Sequence, residues 1–270
     1  MVEHPETEII TKSIEVVGKE VYNDLGHPVA EPTGKLAGLV PRAIKAAFLP
    51  LEKWILKQEY NLKETEKILE EKLKDVPPEN IESPEPYVAV PAIQNISYCM
   101  DNDALRELYA KLLAKSMVND QKNKVHPSYV DIIKQLSPDE AKLLNYLAKH
   151  YYSIPIPTIS LRRENTKHDG IDLYQNFSIL GELAGCDNMY NTQFMFDNLC
   201  RLRILEPNPK YTSLTNEKLY DPLKEHPFIV ELKRKIQSQI TDEYNVIEFE
   251  EGYMKLTEFG KQFCQICVLE

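Results

Sequence analysis

The stretch Asp101–Met117, DNDALRELYAKLLAKSM, limits what this chain can fold into more than any other. Leu105, Leu108, Tyr109, Leu112 and Ser116 recur at the spacing that lays an apolar stripe along one side of a helix. Acidic residues open the segment, where the helix dipole favours negative charge, and Asp101 is the expected cap. A stripe of that width has to be covered, so other elements must wrap around it. The expectation is a mainly α protein with this helix at its centre.

The flanking segments supply the wrapping. Residues 59–74 read as a charged amphipathic helix that buries Leu62, Leu69 and Leu73. Residues 75–87 carry four prolines and read as an extended linker, after which Val88–Cys99 resumes a helical pattern from about Pro91. A polar loop, NDQKNK, leads into VHPSYVDIIKQLSPDE. Here Pro127 pushes His126 out of the α region and begins a helix with Tyr129, Ile132, Ile133 and Leu136 on its apolar side. Ser137-Pro138-Asp139-Glu140 then reads as a capping box: the Ser137 hydroxyl accepts from the Glu140 amide, and the Glu140 carboxylate reaches back. His126, Pro127, Ser137 and Glu140 are therefore structural junction residues. No second histidine, cysteine or acid stands at ligand spacing from His126.

The second half changes character. A helix over Asp139–Tyr151 precedes a β-like run, YYSIPIPTISLRR, and further helices fit FSILGELAGC and NTQFMFDNLCRLRIL. Near the C-terminus, NVIEFEEGYMKLT has two alternating runs across Glu251-Gly252, the signal of a hairpin. Three helices followed by a small hairpin is the order of a winged helix. A helical insertion spans about 215–240, and EFGKQFCQIC forms a terminal helix. The chain thus divides into a helical domain, 1–135, and a winged-helix-like α+β domain, 136–270.

The first 57 residues are amphipathic. Glu6–Tyr22 carries Ile10, Ile14, Val17 and Val21 on one face, and after the breaker run LGHPVAEPTG, residues 33–57 are apolar but interrupted by Pro41, Arg42, Lys45, Pro50, Glu52 and Lys53. That falls short of the ~20 uninterrupted apolar residues of a spanning helix. Gly34, Gly38, Phe48 and Trp54 mark a segment that packs against the domain or a second copy, or else lies on a membrane surface.

Charge bounds the partners. With 32 basic and 42 acidic residues the net charge is −10, which disfavours gripping phosphates. The would-be reading helix of the winged domain offers Asn191 and Gln193 with Arg201 as nucleic-acid contacts, a sparse set. Five scattered cysteines, an odd number, and the lack of a signal-like N-terminus point to reduced thiols in the cytoplasm, with the inner-membrane surface as the alternative place for the 33–57 segment. Cys264 and Cys267 form a lone CxxC pair without further zinc-spaced ligands, and the chain has no phosphate loop, GxSxG or HExxH. No cofactor, metal or small-molecule substrate is expected.

The blocks DNDALRELYAKLLAKSM, VHPSYVDIIKQLSPDEAKLL, NLCRLRIL and KLTEFGKQFCQICV, with YNDLGHPVAEPTGKLAGLVPRAI upstream, resemble the Abi-alpha family over nearly the whole chain. The resemblance implies a bacterial protein of abortive infection, in which an infected cell arrests or dies before phage spreads. It carries over no catalytic motif, and VHPS and LSPDE look like architectural signatures. The chain departs from the pattern at Arg203-Ile204, where such helices often end in a Leu-Gly pair. One enzyme alternative exists in RENTKH, whose Arg163 and His168 have the look of a HEPN-type ribonuclease pair, although they sit in a polar loop. The expectation is a non-enzymatic antiphage protein acting through protein contacts or self-association. A winged-helix DNA-binding regulator is the first alternative.

Overall fold

The structure is a computed structural model that describes residues 42–44, 46, 59–96, 98–99, 101–164, 170–208, 212–238 and 246–269. The candidate residues Gly34, Gly38, Phe48, Trp54 and His168, and the helix expected over Glu6–Tyr22, lie outside these. So does the side chain of Leu62. The elements are α1 (Glu59–Leu73), α2 (Pro86–Ile96), α3 (Asp103–Ser116), α4 (Asn119–Lys122), α5 (Ser128–Lys134), α6 (Pro138–His150), β1 (Ile156–Glu164), β2 (Gly170–Phe177), α7 (Leu180–Leu183), α8 (Thr192–Arg201), β3 (Leu205–Pro207), α9 (Asp221–Lys224), α10 (Pro227–Gln237), β4 (Val246–Leu256) and α11 (Glu258–Cys267). The fold is mainly α, with one four-stranded antiparallel sheet in the order β2-β1-β4-β3.

Helix α3 lies at the centre, as its sequence requires. Leu108, Tyr109, Leu112 and Leu113 are buried, and so are Ala110, Ala114 and even Lys111, because α1, α2, α5, α6 and α11 pack around it. Its cap is Asn102, one residue later than expected: the Asn102 side chain accepts from the Leu105 amide at 3.0 Å. Lys111 is buried because its Nζ donates to the Val268 carbonyl at 2.6 Å, closing the C-terminus of α11. One hydrophobic cluster runs from Ile44 and Leu69 through α3 to Phe263 and Val268, so helices on both sides of residue 135 share it.

Several expectations are corrected. The proline-rich stretch is not extended: Pro78–Asn80 form a 3-10 turn, Ile81 bridges Val118, and the Glu82 amide donates to the Met117 carbonyl at 2.8 Å. Helix α2 begins at Pro86, and Pro91 lies inside it. The polar loop contains the single turn α4. The hairpin across Glu251-Gly252 does not form. Strand β4 is continuous there, with Gly252 opposite Thr158 on β1. A side chain at 252 would press on Asn208 and Thr158, so this glycine serves close packing rather than a turn. The hairpin is instead β1–β2, a strand pair hidden in sequence because β2, GIDLYQNF, is largely half-exposed.

The segment between β3 and β4 carries α9 and α10 and covers the sheet. Tyr220, Leu223 and Ile229 form a second cluster with Ile159 and Phe177. The Tyr220 hydroxyl accepts from the Leu214 amide at 2.8 Å and donates to the Gly252 carbonyl at 3.0 Å, which pins the insertion to β4.

Helix α8 ends in a Schellman motif. The Ile204 amide donates to the Leu199 carbonyl and the Arg203 amide to the Cys200 carbonyl, both at 2.9 Å, with Arg203 in the left-handed region at φ 61°. Arginine thus stands where a glycine is easiest, which gives the departure at Arg203-Ile204 its physical meaning. Gly260 on α11 faces the same corner, where a Cβ would fall on the Ile204 carbonyl oxygen. Arg203→Gly should therefore stabilise the fold by ~0.5–1 kcal/mol, whereas Gly260→Ala should destabilise it by ~1–3 kcal/mol. Urea midpoints of the two variants check both signs.

Candidate functional site

Two groups of candidate residues meet at the start of α6. The capping box forms as read: Ser137 Oγ accepts from the Glu140 amide at 3.2 Å, and Glu140 Oε2 accepts from the Ser137 amide at 2.6 Å. Glu140 is 1% exposed, so its second oxygen also needs a donor. That donor is Asn198 on α8, whose Nδ2 reaches Glu140 Oε1 at 2.8 Å and the Gln135 carbonyl at 3.1 Å. Asn198 Oδ1 in turn accepts from Arg201 at 3.1 Å (Nε) and 2.7 Å (Nη2), and Arg201 Nη1 donates to Gln135 Oε1 at 2.9 Å. Arg201 is thereby joined to Ser137 and Glu140 in one network. The roles of Asn198 and Gln135 were not legible, since nothing in sequence brings position 198 beside position 140.

Asp139 works next to it. Its two carboxylate oxygens accept from the Asp187 and Asn188 amides at 2.8 and 2.9 Å, and Lys142 bridges Asp139 and Asp187. Burial by itself would raise the Asp139 carboxyl, but the two amides and the Lys142 ammonium outweigh it and hold it below the ordinary aspartate range. LSPDE is therefore an anchor between α6, the turn after α7, and α8.

The other candidates stand apart. His126 is exposed, Ser128 donates its amide to His126 Nδ1 at 3.2 Å, and the ring packs beside Tyr129 and edge-on to Phe259. Pro127 occupies the cap position of α5. The His226-Pro227 pair repeats the device, with the Phe228 amide donating to His226 Nδ1 at 3.2 Å at the start of α10. Gln193 accepts from the Gln175 amide at 3.3 Å, and Asn191 is exposed before α8. Arg163 lies on β1, opposite Ile171 and Ile247. Cys264 and Cys267 are fully buried on α11, and burial pushes the Cys264 thiol up to about 12. Among the described residues no group of three His, Cys, Asp or Glu could hold a metal ion, and no helix is long and apolar enough to cross a membrane.

Outward, α8 presents Phe194, 64% exposed, Asp197 one turn later and Arg201 at its end. The profile of the family described as abortive infection alpha matches residues 57–267, which include every element above. The chain belongs to the abortive infection alpha family. No curated protein matches it. Among solved structures it is similar to an uncharacterized protein from the hydrocarbon-degrading marine bacterium Alcanivorax borkumensis SK2, at 15% identity over 55% of this chain and 94% of that one, with a TM-score of 0.35. The match to the abortive infection alpha family takes in LSPDE and the terminal helix, and both of these blocks act here as anchors.

Glu140→Ala and Asn198→Ala should each destabilise the protein by ~1–3 kcal/mol, and a double-mutant cycle should give a coupling of at least ~1 kcal/mol because they share one bond. The Asp139 contribution is present above the unfolded aspartate value of ~3.9 and is lost as pH falls through its lower folded value. Urea unfolding of Asp139→Asn beside the parent should therefore show a stability gap at neutral pH that closes as the pH falls below about 4.

Proposed function

We propose that this member of the abortive infection alpha family is a non-enzymatic antiphage protein that works through protein contacts. The observation that carries this reading is the state of α8. Its candidate phosphate ligand, Arg201, has its guanidinium held by Gln135 and Asn198, and Gln193 is engaged by the Gln175 amide. Beside the engaged Arg201 the helix turns Phe194 and Asp197 outward. A reader of duplex DNA presents free cations and amides there.

The order α6-β1-α7-α8-β3-β4, with β1, β4 and β3 adjacent in the sheet, supports a winged-helix-like arrangement for the second half, to which β2 and the helical insertion are additions. In this reading the two halves, meeting near residue 135, act as one unit over a shared core. Ile44, 1% exposed within that core, supports interior packing for the part of the N-terminal segment that contains it. The ribonuclease alternative finds little support, because Arg163 sits on a β-hairpin rather than in a helical cleft.

Purified full chain should leave RNA intact and should not retard duplex DNA at ~150 mM salt. In bacteria challenged with phage, protection should be lost with Phe194→Glu and retained with His168→Ala. RNA cleavage abolished by His168→Ala, or DNA retardation that falls steeply with salt, would overturn the proposal.

A further inference from the structure

We infer that the exposed apolar face formed by α7, the following turn and α8 docks a segment of another protein that presents an apolar side chain beside a lysine or arginine. This rests on the protein-contact reading and specifies the partner. Leu183, Met189, Tyr190 and Phe194 are 50, 38, 39 and 64% exposed and fall within twelve residues of sequence.

The face is held rigid from behind. Gly181 lets α7 approach the Met189 backbone so closely that a Cβ would fall on the Met189 carbonyl oxygen. The Tyr190 ring stacks on Phe228 with centroids 4.9 Å apart and planes 6° apart, and the Tyr190 carbonyl accepts from the Tyr174 hydroxyl. A preorganised apolar surface of this kind loses little entropy on binding.

Charge selects the occupant. Residues 170–200 contain four carboxylates, Asp172, Glu182, Asp187 and Asp197, and no Lys, Arg or His, and Arg201, which ends α8 one turn after Asp197, has its guanidinium held by Asn198 and Gln135. Three are matched from elsewhere in the fold: Asp172 by Arg162 at 3.1 Å, Glu182 by His226 at 2.8 Å and Asp187 by Lys142 at 3.1 Å. Asp197 has no ion pair among the described residues, and it stands three residues after Phe194, on the same side of α8. Its carboxyl is raised by burial, the condition of a carboxylate short of a partner. A cation offered next to an apolar anchor satisfies Asp197 and covers Phe194 together. Phosphate chains and acidic peptides would instead meet a like charge.

The test uses the full chain and a short amphipathic helical peptide of leucine and lysine, with a leucine and glutamate counterpart, read by fluorescence anisotropy at ~150 mM salt. The lysine peptide should bind and the glutamate peptide should not. Phe194→Ser and Asp197→Asn should each weaken binding by about tenfold or more, while Glu70→Gln, which removes one exposed charge on α1, should change nothing. Circular dichroism confirms that each variant is folded. Failure of the lysine peptide to bind, equal binding of both peptides, or equal effects of Asp197→Asn and Glu70→Gln would overturn the inference. If peptide binding fails while RNA and DNA are also left alone, only this inference falls. If duplex DNA competes for the same face, the protein-contact reading falls with it.

Discussion

The buried carboxylate of Glu140 ties the start of α6 to α8. Removing a carboxylate from water costs several kcal/mol unless its oxygens find donors, and here one oxygen takes the Ser137 amide and the other the Asn198 side chain. The first bond is local and starts α6. The second is long-range and sets α8 beside it. From Asn198 the order continues to Arg201 and to the left-handed Arg203, whose carbonyl accepts from Thr257 Oγ1 at 2.5 Å. Thr257 caps α11, and α11 ends on Lys111 of the central helix. A run of helix caps thus links the centre of the first half to both ends of the second.

What could be read in sequence follows the range of each interaction. The central helix, the capping box, the strand after Pro155 and the terminal helix rest on patterns within a dozen residues, and the structure has them all. The errors arise where tertiary contact overrides a local signal. Glu251-Gly252 resembles a hairpin turn, yet pairing with β1 carries β4 straight through it. Strand β2 has no clean alternation because all its residues before Phe177 stay at least partly exposed, so neither face carries a buried row. The linker prolines do exclude regular sheet, but contacts to Val118 and Met117 fold the stretch onto the core. The candidate site was legible only in halves: Ser137 and Glu140 as architecture, Arg201 as a ligand, with no sign that they belong to one network.

That network decides how Arg201 should be understood. A basic residue on a would-be reading helix counts toward phosphate binding only if its donors are free. Three of its hydrogen bonds go to Asn198 and Gln135, which also border the buried Glu140. Turning the guanidinium toward a phosphate would exchange these three hydrogen bonds for one backbone contact. Arg201 is better placed to stiffen α8, and a stiff helix suits the display of Phe194.

The insertion carries the same logic to the sheet. In a winged-helix arrangement the hairpin strands and the third helix are the surfaces offered to a duplex. Here Tyr220, Leu223 and Ile229 cover the sheet face built from Ile159 and Phe177, and Lys224 is paired with Glu251 at 2.5 Å. The opposite face of β4 shows Glu248 and Glu250 to solvent. One of the two surfaces is therefore filled from within the chain, and the other is apolar with an unmatched carboxylate. Both changes act against phosphate binding, and only the second leaves an open surface, which is why the docking proposal rests on the α7–α8 face rather than on the sheet.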